Sequence, residues 1–508
     1  MKTVEPGRRV LLLLLLPTLA QFQLAGGRIN GDGLLYYSYV RSLWKDFDVD
    51  LANGYAHFGL AVVWSPFFLA GEALGRAWNA LGGATDLSGY GPVHVGAVCL
   101  GSLLYGFLAV VLVHDLLLRH FGPGTALGTA LLVWGATFLH WYMVEQPAYP
   151  HAAAACAAAL ALWLWDRWRG RRDARGILLL GLVLGLAWLL RQPPLGARLG
   201  DPHVLQTLFS SRHGLLSWTP VLWAGYLGFL PLLRRKPALA WPLVPPLLLL
   251  TYLNMCAGDW WAGDSFSNRR FDSLLPLLAL GIAASLDVAR EALRRRPALA
   301  LLGLAVPLVT WNVLLAEQLR RGQLPRDATV EFPSLAGNAA SLFADAMGSP
   351  PTWPASLLFA WRHDVPASQY DLLVGRYLFD PENRAGGRIS LGAPRDEPLL
   401  AEGWGPIENV DGRSARAVRG RGRLFAPLDV PEGLLLRVSA QSPDAGREVR
   451  VLVNGKEAGR FRAGPVWSNH AVPAAAAFWR RELNDVVFDA AGAKLRLAEV
   501  GFERLGTS

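Results

Sequence analysis

The chain has 508 residues, of which 52% are apolar or aromatic and only 18% are charged. Its 53 glycines follow no three-residue period and its apolar content is high, which excludes collagen-like, coiled-coil and disordered chains. Cys99, Cys156 and Cys256 lie far apart in apolar stretches, so neither a disulfide framework nor a zinc site is expected. This composition predicts a membrane protein that carries some soluble mass.

The net charge of +9 at first suggests a surface that binds nucleic acid. Most basic clusters, however, fall in short loops between apolar runs, where Arg and Lys report membrane orientation. We therefore expect a lipid bilayer, and no nucleic acid, as the partner.

Nine apolar stretches are candidate membrane spans, each of which needs about 20 mostly apolar residues. They lie near residues 10–24, 93–113, 124–141, 150–168, 176–190, 216–233, 239–256, 272–288 and 298–316. No clear small-residue cleavage site follows the first stretch before Gly26, which favours an uncleaved anchor over a signal peptide. The stretch 58–81 is also apolar, but Pro66 and Glu72 interrupt it, so we expect a helix lying on the membrane surface.

Alternating sides from a cytoplasmic N-terminus places the basic clusters in the inner loops. These clusters are Arg119, the run from Arg167 to Arg175, the trio from Arg234 to Lys236 and the group from Arg290 to Arg296. The first long loop, residues 26–92, and everything after residue 316 are then outside. We expect a multi-pass protein of the cell inner (plasma) membrane with a periplasmic or otherwise extracytoplasmic C-terminal domain.

The chain changes character after the last predicted span. Residues 317–387 mix Pro, Trp and charges, which indicates irregular helices on the membrane surface. The predicted fold is therefore an α-helical polytopic membrane domain, residues 1–316, followed by this linker and a third, different domain.

That third domain, residues 388–508, consists of short alternating runs broken by turn signals, among them 486–488 and 495–500. Asn454-Gly455 is typical of a type I′ hairpin turn between two strands. The pattern predicts a β-sandwich of jelly-roll type.

Carboxylates are scarce within the spans, so those on the predicted outer face indicate a site. Asp32 follows the first span between Gly31 and Gly33, at the depth of lipid headgroups, and the glycines would let a ligand approach closely. The same residues are ordinary turn chemistry, which is the commoner explanation of an isolated Asp-Gly pair.

Three further segments place polar and basic residues on the same face. They contribute Glu145 before the fourth span and His151 at its start, Arg212 and His213 before the sixth, and Trp261, Asp264, Arg269 and Arg270 after the seventh. Tyr36 follows Asp32 in the first loop. Positive charge outside runs against the positive-inside bias. Guanidinium groups there predict a bound phosphate or pyrophosphate on a lipid-linked substrate.

Each of these residues also has a structural explanation. Arg269 and Arg270 could pair with nearby aspartates in a surface network that contributes little stability. A lone histidine is usually structural, and Glu145 could interact with the dipole of the following helix. Acids and arginines gathered on one face nevertheless favour a site.

Residues 31–50, 209–220 and 260–271 resemble segments of bacterial multi-pass glycosyltransferases of the GT-C superfold. Members of that superfold include the protein O-mannosyltransferases and the lipid A aminoarabinose transferase. The resemblance covers roughly residues 9–316, and the three segments occur in the expected order and on the expected face.

The resemblance implies a catalytic carboxylate early in the first outer loop, where Asp32 is the matching position, and a donor sugar on a polyprenyl phosphate. We expect the remaining site residues to act as donor-phosphate ligands (Arg212, His213, Arg269, Arg270), as substrate contacts (Tyr36, His151, Trp261, Asp264) and as a second catalytic acid (Glu145). Glu145 would orient the acceptor or bind a metal. No outer Asp-x-Asp follows the third span, so no cofactor is certain and a divalent metal stays an alternative.

The predicted function is an integral membrane glycosyltransferase, hexosyl or pentosyl, that moves a sugar from a polyprenyl-phosphate-linked donor to a glycan, lipid or protein acceptor on the outer face. Two alternatives stay open: a lipid-sugar flippase or transporter, and a noncatalytic scaffold that presents a carbohydrate-binding domain. A transporter normally places ionisable or helix-breaking residues near the bilayer midplane. Here the polar groups cluster at one end of the spans.

Overall fold

The computed structural model describes residues 6–25, 27, 29–48, 58–170, 174–190, 197–293, 297–325, 328–374, 387–428, 430–443 and 446–505. The chain forms two compact units, Met1–Ala339 and Ala340–Ser508, which we call the N-terminal and C-terminal units. Their boundary falls inside segment 317–387, which the sequence predicts to be a linker.

The N-terminal unit is helical. Its helices are α1 (Pro6–Ala25), α2 (Asp32–Arg41), α3 (Phe58–Ala80), α4 (Pro92–Leu118), α5 (Pro123–Gly135), α6 (Leu139–Val144), α7 (His151–Trp168), α8 (Ala174–Leu190), α9 (Val204–Phe209), α10 (Leu215–Trp218), α11 (Val221–Leu227), α12 (Phe229–Arg235), α13 (Pro237–Ala240), α14 (Val244–Met255), α15 (Leu275–Ala292) and α16 (Pro297–Arg320). A π-helical turn, Ser42–Asp46, extends α2, and a 3-10 segment, Arg269–Leu274, leads into α15. Helix α17 (Phe332–Met347) includes the boundary between the units.

Six helical stretches in the described part of the chain are long and apolar enough to cross a membrane. They are Pro6–Ala25, Phe58–Ala80, Pro92–Leu118, Pro237–Met255, Arg269–Ala292 and Leu302–Arg320. Five coincide with predicted spans, and the sixth is α3, for which the sequence predicts a surface helix. The other four predicted spans hold the shorter or interrupted helices α5–α6, α7, α8 and α11–α12, so length and composition support six spans where the sequence predicts nine.

Helix α3 tolerates the residue that interrupts its apolar pattern because the fold supplies partners for it. Glu72 accepts from Lys45 Nζ at 2.6 Å and Arg76 Nε at 2.7 Å, and its Oε2 lies 2.7 Å from His94 Nε2. A charge so surrounded is far less costly away from water than an isolated one.

The third predicted span is broken between α5 and α6. Asn312 of α16 donates from Nδ2 to the carbonyl oxygens of Gly135 (3.3 Å) and Thr137 (2.7 Å) at the break. Irregular backbone at membrane depth is tolerated where neighbouring groups satisfy it in this way. The break leads α6 into the loop that carries Glu145 and Tyr149.

The C-terminal unit is built on an antiparallel sheet. Its elements after α17 are α18 (Ala355–His363), α19 (Ala367–Leu372), β1 (Arg388–Ser390), β2 (Trp404–Val410), β3 (Arg413–Leu428), β4 (Leu434–Gln441), β5 (Arg447–Val453), β6 (Lys456–Ala463), β7 (Ser468–Ala474) and β8 (Glu482–Arg504). Strand β8 pairs with β3, its first half also carries the β5–β6 hairpin, and its second half carries β4 with β7 and, separately, β1.

The two arms of this sheet enclose a common core. Leu436 of β4, Val451 of β5 and Phe488 of β8 are completely buried in one cluster, which gives the two-layered, sandwich-like arrangement that the sequence predicts. Asn454 and Gly455 have φ values of 50° and 79°, as a type I′ turn requires. The predicted β character of this region is confirmed.

Candidate active site

Asp32 and Arg269 lie 237 residues apart in the chain and meet at the start of α2. Arg269 Nη2 is 3.5 Å from Asp32 Oδ2. The Asp32 side chain is 55% exposed, whereas that of Arg269 is only 16% exposed. The fold therefore sets a solvent-accessible carboxylate against a largely buried cation.

The glycines beside Asp32 serve close packing against the protein itself. Gly31 has a φ of 51°, and a Cβ there would lie 2.9 Å from Tyr149 Oη, while one at Gly33 would lie 3.0 Å from the Ala148 carbonyl oxygen. The sequence predicts that these glycines admit a ligand. In the structure, the absence of their side chains makes room for the loop between α6 and α7.

Tyr149 completes the surroundings of the buried cation. The Arg269 guanidinium lies 5.3 Å from the centroid of the Tyr149 ring, and Tyr36 meets the same ring edge-on at 6.1 Å. Burial raises the pKa of Tyr149 although the nearby Arg269 charge opposes the shift. The hydroxyl thus stays protonated at neutral pH and can donate a hydrogen bond.

His151, an expected substrate contact, is instead enclosed. Its Nδ1 lies 2.7 Å from Asp272 Oδ2, and the two residues are 4% and 0% exposed. Asp272 also accepts from the Ser273 hydroxyl at 3.0 Å. This pair joins α7 to the 3-10 segment that carries Arg269, so His151 holds the position of that arginine.

A second cluster links the loop before α10 to the loop after α14. The Arg212 guanidinium lies 4.4 Å from the Trp261 ring centroid, in cation–π geometry. Its Nε is buried and has no hydrogen-bond partner among the described residues. Arg212 therefore retains hydrogen-bonding capacity for an anion.

His213 braces this cluster. Its Nδ1 is 3.0 Å from the Trp261 carbonyl oxygen and 3.3 Å from Ser265 Oγ. Burial lowers the pKa of His213 to about 4, so the imidazole is neutral at pH 7. Because Nδ1 faces a carbonyl oxygen, it carries the proton and donates, so Nε2 can only accept a hydrogen bond and the ring adds no positive charge for a phosphate.

Arg270 diverges from Arg269, since consecutive side chains of a 3-10 helix point about 120° apart. Its guanidinium pairs with the Asp259 carboxylate. Together with Asn254 and Ser273, Arg270 forms the polar part of an otherwise apolar cavity of about 700 Å³ lined by α7, α8, α14 and α15. The two arginines predicted to share a phosphate therefore serve different places.

Glu145 belongs to a third group. Its Oε1 accepts from Arg320 Nη2 at 2.7 Å and Nε at 3.0 Å, and Arg320 also pairs with Glu317 at 3.1 Å. A metal ion on Glu145 would meet the Arg320 charge. In the described ranges, no group of three or more His, Cys, Asp or Glu residues is placed to hold a metal ion.

Asp264 lies near both main clusters. Its side chain is exposed, and its charge acts on Tyr149 and on His213. The structure thus brings together Asp32, Tyr36, Asp264 and Arg269, sets Arg212, His213 and Trp261 beside one another, and places Glu145 and Arg270 with other partners.

Several residues of the site are not among those predicted from the sequence. Tyr149 lies between Glu145 and His151, and Asp272 directly follows the segment 260–271, so their closeness in sequence to predicted site residues was the available signal. Asn268 lies within the segment 260–271, whereas nothing in the sequence pointed to Arg320. Asn268 is 1% exposed, and its Oδ1 is buried without a hydrogen-bond partner in the part of the chain that the structure describes.

No protein-family model and no curated protein matches this chain. Among solved structures, the arabinosyltransferase EmbB from Mycobacterium smegmatis aligns over 99% of this chain and 65% of its own, at 12% identity and a TM-score of 0.26. A family 35 carbohydrate-binding module from an environmental isolate aligns over 23% of this chain and 93% of its own, at 11% identity and a TM-score of 0.20. A CBM36 module in complex with calcium and xylotriose aligns over 23% and 98%, at 9% identity and a TM-score of 0.18. Similarity at this level does not carry the activity of those proteins over to this chain.

Proposed function

We propose that this protein is an integral membrane glycosyltransferase that moves a sugar from a polyprenyl-phosphate-linked donor to an acceptor on the outer face of the membrane. The observation that carries the proposal is the meeting of Asp32 and Arg269 at 3.5 Å just beyond α1. A carboxylate that can take a proton, next to a cation that can hold a departing phosphate, suits this transfer.

The proposed reaction uses these groups as follows. An acceptor hydroxyl attacks the anomeric carbon of the donor sugar and gives its proton to the Asp32 carboxylate. The bond between the anomeric carbon and the phosphate oxygen breaks, and the electron pair leaves with the lipid phosphate. Arg269 and Arg212 stabilise the developing charge, since arginine stays protonated and presents its donors as a fork.

The apolar cavity supports a lipid donor. Its volume of about 700 Å³ falls in the usual range for ligand sites, about 300–1,000 Å³. Leu162, Leu184 and Leu250 contribute to its apolar walls, and Arg270 lies among its few polar residues. We propose that this cavity holds the first isoprene units while the phosphate lies toward Arg269 and Arg212.

The first step of the test identifies the donor and the acceptor. Lipid-linked saccharides and surface glycans are profiled in cells with and without the protein. Transfer predicts that the lipid-linked sugar accumulates and that one sugar disappears from an acceptor when the protein is absent. Unchanged glycans would refute the proposal and favour a scaffold, whereas a donor retained on the inner leaflet would favour a flippase.

The second step replaces Asp32 by Asn and measures transfer in membranes with protein levels matched by immunoblot. Loss of a general base typically lowers the rate about a hundredfold to ten-thousandfold. Asp46→Asn is the matched control, because Asp46 follows the same helix and pairs with Arg41, and we expect less than a threefold loss, roughly the effect of a surface ion pair. Near-normal activity of the Asp32 variant would show that another residue accepts the proton.

A further inference from the structure

The C-terminal unit has a cleft of its own, formed by the end of α18, strands β3 and β8 and the turn between β5 and β6. It has two adjoining lobes of about 400 and 480 Å³, which share Arg362, His363, Arg480 and Asp485 as lining residues. Both volumes fall within the range of small-ligand sites. No role in the proposed transfer reaction is assigned to this cleft.

The cleft carries an excess of positive charge. Arginines 362, 421, 423, 480 and 481 line the two lobes, against only two carboxylates, Glu402 and Asp485. Arg423 lies between both acids, 2.6 Å from Glu402 Oε1 and 2.5 Å from Asp485 Oδ2. The lining acids are therefore already engaged by one arginine.

The other arginines differ in how far they are neutralised. Arg421 pairs with Asp489 at 3.1 Å, and Arg480 is a more distant 3.9 Å from Asp485. Arg362 and Arg481 have no ion-pair partner within the described ranges. Guanidinium groups left uncompensated in a concave site bind carboxylate or phosphate in a bidentate fork.

The segment that presents Arg480 is held in place before any ligand arrives. The Arg480 Nε donates to the Leu483 carbonyl at 3.2 Å, and its backbone N–H donates to Asn484 Oδ1 at 2.9 Å. Asn484 is fully buried and also accepts from Asn454 Nδ2 at 2.7 Å. Such preorganisation lowers the entropy cost of binding.

An aromatic surface adjoins the charges. Trp361 is 85% exposed in the second lobe, above a floor that includes Phe359 and Phe425. His363 packs against both phenylalanines, at 4.9 and 5.0 Å between ring centroids. Burial and the nearby Arg423 charge lower the pKa of His363, so it is a neutral hydrogen-bonding group at pH 7.

We propose that this cleft binds an anionic sugar. Arg362 and Arg480 hold its carboxylate or phosphate substituent, and the apolar C–H face of the sugar ring packs on Trp361. A surface ion network alone contributes little stability and explains neither the surplus of arginine in a concavity nor the exposed indole. The site goes beyond the proposed transfer reaction, since binding requires no donor and no turnover.

The test uses the full chain in detergent and isothermal titration calorimetry. The probes are trigalacturonic acid, its fully methyl-esterified form, and galactose 6-phosphate. We expect the acid to bind at least tenfold more tightly than the ester, and more weakly as salt is added. Tight binding of the sugar phosphate in place of the uronate supports the proposal with phosphate as the anion. Equal binding of acid and ester, or no binding of either anion, would overturn it.

A double variant, Arg362→Gln with Arg480→Gln, should weaken binding of the anion at least tenfold. Arg437→Gln is the control, because Arg437 is an exposed arginine on β4 that pairs with Glu503 at 2.8 Å, outside the cleft. The control should bind within twofold of the unmodified chain. Unchanged binding by the double variant would place the anion elsewhere and contradict the assignment.

Discussion

At His213 the backbone has a φ of 57°, in the left-handed region that residues with a side chain seldom adopt. The ring is 3% exposed and bonds the Trp261 carbonyl across 48 residues of sequence. Such a conformation persists where surrounding contacts over-determine it. Those contacts fix Arg212 over Trp261, so a neutral histidine sets the place of the charged residue beside it.

Because His213 titrates far below its ordinary range, it makes stability depend on pH. Its pKa is about 4 in the fold and about 6.5 in the unfolded chain. The unfolded chain therefore binds the extra proton first as pH falls, and the contribution present above pH 6.5 is lost toward pH 4. From pH 7.5 to 5 the free energy of unfolding should fall by about 2 kcal/mol from this group.

His213→Asn tests this contribution, since asparagine tolerates a left-handed backbone and can donate to the Trp261 carbonyl. Thermal unfolding in detergent at pH 7.5 and pH 5 should show a smaller acid-induced loss in the variant than in the unmodified chain. Equal losses in both proteins would mean that His213 does not govern stability in this window.

At this scale the sequence predicts individual residues better than their partners. Asp32 and Arg269 each follow from charge at the outer end of a span, but nothing local pairs residues 237 positions apart. Arg270 departs from Arg269 because consecutive side chains diverge in any helix and because Asp259 supplies Arg270 with a separate partner. The roles of all these residues in chemistry stay predictions.

Among the helices, α11, α12 and α15 approach one another through glycine. A Cβ on Gly281 of α15 would lie 1.8 Å from the Gly225 carbonyl oxygen, and one on Gly228 would lie 1.8 Å from the Gly281 carbonyl oxygen. Small residues permit this proximity between apolar helices, where van der Waals packing drives association. The segment with Arg269 leads directly into α15, so the packing of α15 also supports the site.

Gly281→Ala should therefore destabilise the protein, since the added methyl group meets backbone and not a flexible side chain. Overpacking costs about 1–3 kcal/mol, and we expect a clearly lower thermal unfolding midpoint in detergent. Gly185→Ala on α8 is the control, because a Cβ there meets nothing within 4 Å, and alanine favours helix by up to about 1 kcal/mol. Similar midpoints for the two variants would contradict the close-packing argument.

The departures from the predicted elements share a physical cause. From the sequence, the charge of Glu72 is evidence against a span in α3, but in the fold Lys45 and His94 offset that charge. Helix α5 can end at Gly135 because Asn312 donates to the carbonyl groups that the break frees. In the C-terminal unit, Gly492 separates two predicted strands, yet β8 runs through it with a φ of 84°. Hydrophobic periodicity is local, and it cannot register partners supplied from elsewhere.

For the N-terminal unit as a whole, ion pairs distinguish two ends. Arg8 at the start of α1 pairs with Asp115 near the end of α4, whereas Arg320 at the end of α16 pairs with Glu145 just before α7. Helix α7 connects these ends with 18 residues, a length of about 27 Å at 1.5 Å per residue. That length nearly matches a hydrocarbon core of about 30 Å, so α7 is long enough to cross although it is not among the six stretches that are both long and apolar enough.

This arrangement predicts the sidedness of loops without a count of spans. A reporter inserted after Arg172, beyond the end of α7, should lie in the cytoplasm, and one after Gly322, beyond α16, should lie outside. An insertion after Lys236 is the matched control for the first, because Arg169 Nη1 donates to the Ala238 carbonyl at 3.0 Å and so holds the α12–α13 turn beside the end of α7. Alkaline phosphatase, active only outside, and green fluorescent protein, fluorescent only inside, give opposite readouts at each position. Like sidedness at Arg172 and Gly322 would mean that α7 does not cross the membrane, and the carboxylate of Asp32 would then lose its predicted place at the outer headgroups.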